Sequence, residues 1–391
     1  MLREIRALRE LGFDVRVASV RPADRAFEQL SPEEREEQSG TFYIKSARAA
    51  GAFSACGRML FRSPLRFLRG LGCAVRLSRL RPGLLVRNLF YLAEAAIFCD
   101  WLGRLRLSRV HMHFTTTVGL LATRLMPLRT SATIHGSAEF VDPRGFYLAE
   151  KVAAFDLVCV ISDYGRRQLQ RVSHREQWGK LRVSRLGVDP SRFSPRPFRY
   201  NPAQFEILCV GRLALGKGQD VLISTLDQLR GAGHQVLLRL VGDGDQRAAL
   251  ERLTNVRGLE STVIFEGQQN VDRVRDCYQQ ADLFALASSA EGIPVVLMEA
   301  MAMEIPCVAT DVMGVPELIR HEVDGLLVPA PDAGLFAGAI TRLITDADLR
   351  LRLGKAGRLR VLDQYDLGKN TAAFAGILKE VPPLESSGPG C

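Results

Sequence analysis

Short apolar runs that end in a glycine or a polar turn alternate with segments of helical spacing along most of this chain, and no other feature constrains the fold as much. In the first half, residues 107–114 (LSRVHMHF), 130–135, 157–161 and 181–185 read as strands, and 118–125, 145–154 and 164–172 as helices. The pattern restarts after a proline-rich break. Strands are expected at 205–213, 236–244, 262–265, 283–287, 306–310 and 325–328, and helices at 221–229, 246–253, 271–279, 295–303, 334–344, 347–364 and 370–378. Successive parallel strands need a crossover, usually a helix, so this alternation predicts an α/β chain built on parallel sheets.

A chain of 391 residues exceeds what one core usually serves, and two domains are expected. Pro190, Pro195, Pro197 and Pro202 mark the boundary. It divides a domain over 1–195 from a second over 202–365, with a helix over 366–380 crossing back to the first domain and a disordered tail over 381–391. The chain opens on a helix: Leu2, Ile5, Leu8 and Leu11 share a face, Gly12 stops it, and residues 15–20 form a strand. A βαβ domain normally opens on a strand, and here the helix comes first. Residues 22–40 read as an acidic loop and mobile helix, and 50–105 as mainly helical.

Charge is uneven. Residues 1–200 hold 34 Lys+Arg against 18 Asp+Glu, and the rest holds 18 against 25. A basic first half points to an anionic partner. Zinc-finger spacing, an RNP-like aromatic run and a recognition-helix pattern are all lacking, which argues against nucleic acid. Residues 58–81 interleave arginines with Leu, Phe and Val, as basic helices at a membrane surface do. The best spanning candidate, 83–103, contains Arg87, Glu94 and Asp100, so no transmembrane helix is assigned. The eight cysteines are scattered without a CxxC pair and read as free thiols in a reducing cytoplasm.

The richest stretch is SSAEGIPVVLMEAMAMEIPCVATDVMGVP, residues 288–316. Glu291 stands in a loop with Gly292 and Pro294, and Glu299 lies eight residues on, a little over two turns at about 3.6 residues per turn. Pro294 suits the first turn of a helix. The free N–H groups of a helix start favour phosphate or sugar oxygens. Two carboxylates facing one cleft can each take a pair of sugar hydroxyls, although alone they also suit a hydrolase pair. Upstream, Gly211, Arg212 and Lys217 sit beyond a strand end. The glycine lets the backbone approach a ligand and the two cations suit a diphosphate. Neither a Walker loop nor GxGxxG is present.

Together, VGRLALGKGQDVLI, SSAEGIPVVLMEAMA and ATDVMGVPELI resemble the nucleotide-sugar-dependent glycosyltransferases of family 4. In the first half, REIRALRELGFDVRVAS, HMHF, TIHG, VISDYGRRQL and LGVDPSRFSP extend the resemblance over roughly residues 1–380, nearest to bacterial exopolysaccharide transferases of the colanic-acid type. The resemblance implies the GT-B fold, two Rossmann-like parallel-sheet domains facing a central cleft, the first on the acceptor side and the second binding the nucleotide sugar. It implies a retaining hexosyltransferase that needs no metal and no cofactor, moving a sugar from a UDP- or GDP-sugar to a lipid-linked or glycan acceptor in exopolysaccharide or cell-envelope biosynthesis. By position, Arg212 and Lys217 would hold the diphosphate beside Gly211, and Glu299 the ribose hydroxyls. Glu291 would contact the sugar near the reacting carbon, with the N–H groups of Gly292, Ile293, Pro294 (which has none to give) and Val295 as its neighbourhood. His135 of TIHG would reach the sugar from the first domain. His111 and His113 read as structural. The expected location is the cytoplasm, peripheral on the inner face of the membrane.

Relatives of this type carry a strand and glycine loop before the REIRALRELG helix, and here Met1 stands where that loop would end. The expectation is a gap in the first sheet and weak or absent transfer. Two alternatives follow: a nucleotide-sugar epimerase of the same fold, and an inactive donor-binding relative.

Overall fold

The computed structural model describes residues 2–22, 27–114 and 116–381. The expected tail over 381–391 falls almost entirely outside them, as does part of the acidic loop. The chain forms two compact units: residues 1–161, 165–184 and 372–391, and residues 162–164 with 185–371.

The first unit runs α1 (Leu2–Glu10), β1 (Ala18–Ser19), α2 (Pro32–Gly40), β2 (Phe42–Tyr43), α3 (Arg48–Arg62), α4 (Pro64–Leu77), α5 (Pro82–Arg104), β3 (Arg109–His113), α6 (Thr116–Leu125), β4 (Arg129–Ile134), α7 (Ser137–Val141), α8 (Leu148–Ala154), β5 (Leu157–Val160), α9 (Asp163–Val172) and β6 (Leu181–Val183). Gly12 at φ +85° turns the chain out of α1. Pro64 and Pro82 each open a helix, where a missing N–H costs nothing. The sheet is parallel in the order β3-β4-β5-β6, with Met112 beside Ala132 and Ala132 beside Val158. Its core joins Leu92, Ala95 and Ala96 of α5 to Leu120 and Leu121 of α6, and to Val110, Ile134 and Val160 from the strands. A second cluster gathers Leu8, Leu157 and Cys159 with Phe374 and Leu378 from the chain's end.

The strand expected over 15–20 is reduced to Ala18–Ser19, which among the described residues pairs only with β2. Among the described residues the unit therefore holds two separate parallel sheets. Between them lies a cavity of about 210 Å³, lined from β1 by Ala18, from β3 by Val110 and Met112, and from α1 by Ile5 and Leu8. The cavity lies between two edge strands.

By length and composition α5 could cross a membrane. It buries Asn88, Leu92, Ala95, Ala96, Ile97, Cys99 and Leu102 within the unit, and Asp100 is paired by Arg58 at 2.9 Å and Arg104 at 2.6 Å.

The second unit runs β7 (Phe205–Val210), α10 (Gln219–Gly231), β8 (Val236–Val241), α11 (Arg247–Val256), β9 (Val263–Gly267), α12 (Val271–Gln280), β10 (Leu283–Leu286), α13 (Val295–Ala302), β11 (Cys307–Thr310), α14 (Val315–Leu318), β12 (Leu326–Val328), α15 (Ala333–Thr345) and α16 (Ala347–Gln364). The last helix, α17 (Leu367–Lys379), begins in this unit and ends in the first. The sheet is parallel throughout, in the order β12-β11-β10-β7-β8-β9. Chain order reverses between β7 and β10. In an open parallel sheet the crevice at the carboxyl ends of two such strands is where ligands bind.

Candidate donor site

The site grows from that reversal. β7 ends at Val210 and its loop carries Gly211, Arg212 and Lys217; β10 ends at Leu286 and its loop carries Ser288, Ser289 and Glu291. The two loops are laced together, with Ser289 N–H donating to the Gly216 carbonyl at 2.9 Å. A side chain on Gly218, at φ +74°, would meet the Ala287 carbonyl oxygen at 2.0 Å. On Gly242 a Cβ would meet the Gly211 carbonyl at 2.0 Å, and on Gly314 the Gly292 carbonyl at 1.9 Å. Glycine is thus required where four strand ends bring backbone against backbone.

Of the residues singled out in this half, the structure brings Lys217 and Glu291 into direct contact. Lys217 Nζ donates to Glu291 Oε1 at 2.6 Å, with the carboxylate nearly buried and the ammonium one-third exposed. Arg212 is exposed and makes no ion pair among the described residues, while its carbonyl accepts from Gln219 Nε2 at 3.0 Å. Gly211 is tied to β8 through its N–H and the Val241 carbonyl at 2.9 Å. Gly292, Ile293 and Pro294 are buried and lead into α13. Pro294 occupies the N-cap position, with ψ 119°, and not the first helical turn as expected; Val295 is the first helical residue. The cap uses no side chain, so the first N–H groups of α13 have no capping partner of that kind.

Glu299 is half-buried on α13, its Oε2 3.1 Å from the hydroxyl of Tyr278 on α12. Burial first, then the Glu299 charge, pushes the Tyr278 phenol well above its ordinary value, so it stays a donor. The sequence reading missed Tyr278. Nothing in its spacing signals it, because it reaches Glu299 from another helix. Ser288 Oγ and Thr310 Oγ1 are buried at the ends of β10 and β11 with no hydrogen-bond partner among the described residues.

In the first unit His135 follows β4, and Gly136 turns the chain at φ +100° into α7, a short helix the sequence did not suggest. Its ring stacks on Phe114, centroids 4.3 Å apart, and its Nε2 lies 2.8 Å from His113 Nδ1. Burial lowers His135 to about 3, with His113 adding to the shift and Glu4 opposing it. His111 is held by Ser131 at 2.8 Å and Thr133 at 3.0 Å, a structural role as expected. His113 links His135 to Glu4, whose Oε1 lies 3.3 Å from His113 Nε2. Among the described residues no group of three His, Cys, Asp or Glu side chains is placed to hold a metal ion.

Two parallel-sheet units with a crevice at a strand reversal place the chain in the GT-B class of α/β proteins. Solved structures agree. A glycosyltransferase from Rickettsia africae superposes with a TM-score of 0.67, at 17% identity, over 99% of this chain and 94% of its own. HepE of Anabaena, solved with UDP and glucose, gives 0.65 at 22% identity over 73% and 81%.

Residues 192–360 match the family described as glycosyl transferases group 1. Similar curated proteins include one of Escherichia coli (strain K12) that carries the provisional name of a colanic acid biosynthesis glycosyltransferase, 38% identical over 49% of each chain. They also include an amylovoran biosynthesis glycosyltransferase of Erwinia amylovora, 35% identical over 42% of each. A GDP-mannose-dependent phosphatidylinositol monomannoside mannosyltransferase of Mycobacterium tuberculosis is 29% identical over 57% of this chain and 62% of its own. The chain spans about half the length of the first of these relatives.

Proposed function

We propose that this chain is a retaining, metal-independent glycosyltransferase of the family 4 type, using a nucleotide-sugar donor and a lipid-linked or glycan acceptor in the making of an exopolysaccharide or envelope glycan. The observation that carries the reading is the Lys217–Glu291 pair at 2.6 Å in the crevice between β7 and β10. A diphosphate entering that crevice meets Lys217 and exposed Arg212, cations that stabilise the leaving nucleotide as its charge develops. Glu299, kept in place by Tyr278, takes the ribose hydroxyls. Glu291 and the backbone from Gly292 to Val295 take the sugar, and by the family resemblance His135 also contacts it. Since Arg212 and Lys217 balance the charge, the reaction needs no divalent cation. The names of relatives support a nucleoside-diphosphate donor: one is called GDP-mannose-dependent, and HepE was solved with UDP.

The acceptor side supports a membrane surface. Phe53, Phe61, Leu65, Leu68 and Leu80 are exposed on and just after α3 and α4, interleaved with Arg62, Arg66, Arg69 and Arg79. Apolar side chains beside cations suit the boundary of an anionic bilayer, and the proposed location is the inner face of the cytoplasmic membrane.

The test is nucleotide release from UDP-, GDP- and ADP-sugars, with and without a lipid extract, followed by NMR of the product's anomeric centre. Release from one donor class with retained configuration, lost in Lys217→Ala, supports the reading. An inverted product or a strict requirement for a divalent metal would overturn it.

A further inference from the structure

Three side chains from three elements form a line in the first unit: Glu4 on α1, His113 at the end of β3, and His135 just beyond β4. Glu4 Oε1 lies 3.3 Å from His113 Nε2, and His113 Nδ1 lies 2.8 Å from His135 Nε2. The register of β3 on β4 pairs His113 with Thr133, which sets His135 two residues further on. Both faces of the line are packed: Phe114 stacks on His135, and the His111 ring lies edge-on to His113 at 4.6 Å.

A hydrogen bond between two imidazole nitrogens contains one proton, and which ring carries it follows from the other end of the line. An ionised carboxylate only accepts. Burial pushes Glu4 up, but the His113 hydrogen bond, with the charges of His113, the N-terminus and His135, outweighs it and the net shift is downward, so Glu4 is ionised at neutral pH. Its partner His113 Nε2 therefore carries a hydrogen. In neutral His113 the Nδ1 is then bare and accepts, so the proton of the His113–His135 bond sits on His135 Nε2. A neutral His135 with its hydrogen on Nε2 has its lone pair on Nδ1.

We propose that Glu4 and His113 are positioning residues that lock His135 in the Nε2–H tautomer, so that it meets its ligand through Nδ1 as a hydrogen-bond acceptor. A sugar hydroxyl is a ligand that can donate to it. His135 then neither donates to the sugar nor acts as an acid toward it. This last step rests on the proposed function, which brings His135 to the sugar; the tautomer itself does not.

The experiment is long-range 1H–15N correlation NMR of the histidine-labelled full chain at pH 8, assigned with His135→Asn and His113→Gln. The expected pattern for His135 has a protonated Nε2 and a bare Nδ1. His113→Leu, which removes the acceptor, should give a mixture of tautomers, whereas His113→Gln, whose amide oxygen can still accept, should keep the Nε2–H form. Glu4→Leu, which removes the acceptor from His113 Nε2–H, should likewise give a mixture of tautomers. Far-UV circular dichroism of each variant confirms that it folds. An Nδ1–H pattern in the unaltered chain, or a tautomer unmoved in both His113→Leu and Glu4→Leu, overturns the lock. If the tautomer moves as expected while the rate of sugar transfer stays the same, the lock stands and the contact with sugar is wrong. A fall in kcat of about tenfold with donor KM unchanged in Glu4→Leu supports both.

Discussion

Lys217 Nζ donates to Glu291 Oε1 at 2.6 Å although the two residues are 74 positions apart. The pair joins the loop after β7 to the loop after β10, at the point where the sheet reverses its strand order. An ammonium and a carboxylate so placed do two things before any ligand arrives: they fix the loops, and they store a cation at the mouth of the crevice. A charge-assisted hydrogen bond is worth about 1.5–3 kcal/mol. Lys217→Ala is therefore expected to weaken nucleotide-diphosphate binding roughly ten- to a hundredfold. Lys217→Arg, which keeps the charge, should lose less. Titration calorimetry with the diphosphate alone distinguishes them, because a residue serving only to fix the loops would show equal losses.

Tyr278 is expected to act through Glu299. Tyr278→Phe removes the 3.1 Å contact and leaves the ring's packing in place. A lost neutral-to-charged hydrogen bond of this kind costs about 1.5–3 kcal/mol at most. Nucleoside affinity should fall by a few-fold to tenfold, while affinity for inorganic diphosphate stays the same. Equal losses for both ligands would count against the ribose assignment.

Gly218 is a backbone requirement and not a contact. At φ +74°, with the Ala287 carbonyl 2.0 Å from a built Cβ, Gly218→Ala is strained twice over. A destabilisation of about 1–3 kcal/mol and loss of donor binding are expected. Gly231 at the end of α10 has open space around it, and Gly231→Ala should be neutral or slightly stabilising. Thermal midpoints of the two variants check this directly.

How much of this was legible beforehand divides by physical cause. Helix and strand periods are local, so the alternation of elements and the parallel character of both sheets could be read from residues alone. The motif positions from Gly211 to Lys217 and from Glu291 to Glu299 fell on the loops and helix expected of them. Neighbour relations are not local. The reversal at β7 and β10, the reach of Tyr278 to Glu299, and the meeting of Glu4 with His113 depend on which strand or helix lies beside which. His111 and His113 are two residues apart on one strand, yet one bonds to hydroxyls of β4 and the other to a second imidazole. Pro294 was one position off because proline tolerates both the cap and the first turn, and its extended ψ marks the cap.

Arg239 on β8 links Glu206 on β7, at 2.7 Å, to Glu266 on β9, and all three are largely buried. Arg239→Ala leaves Glu206 without its cation and Glu266 with Arg273 alone, at 3.4 Å, and about 3–5 kcal/mol of stability should be lost. Arg239→Ala with Glu206→Gln should lose less than the single variant. Urea midpoints of the two decide the matter.

Acid should destabilise the first unit through His135. Its ordinary value is 6.5, and burial lowers it to about 3, with His113 adding and Glu4 opposing. Between those two values the unfolded chain binds a proton that the folded chain refuses, so stability is complete above pH 6.5 and falls as pH drops toward 3. The urea midpoint should decrease between pH 7.5 and 5, and by less in His135→Asn. An equal decrease in both would contradict the assignment.

The most direct test of the donor site is titration calorimetry of the full chain against UDP-, GDP- and ADP-sugars, beside Lys217→Ala and Glu299→Ala. The expected result is binding of one nucleotide class without added metal, weakened at least tenfold in each variant, with Glu299→Ala retaining affinity for inorganic diphosphate. Unchanged nucleotide affinity in Glu299→Ala and Lys217→Ala alike would contradict the account.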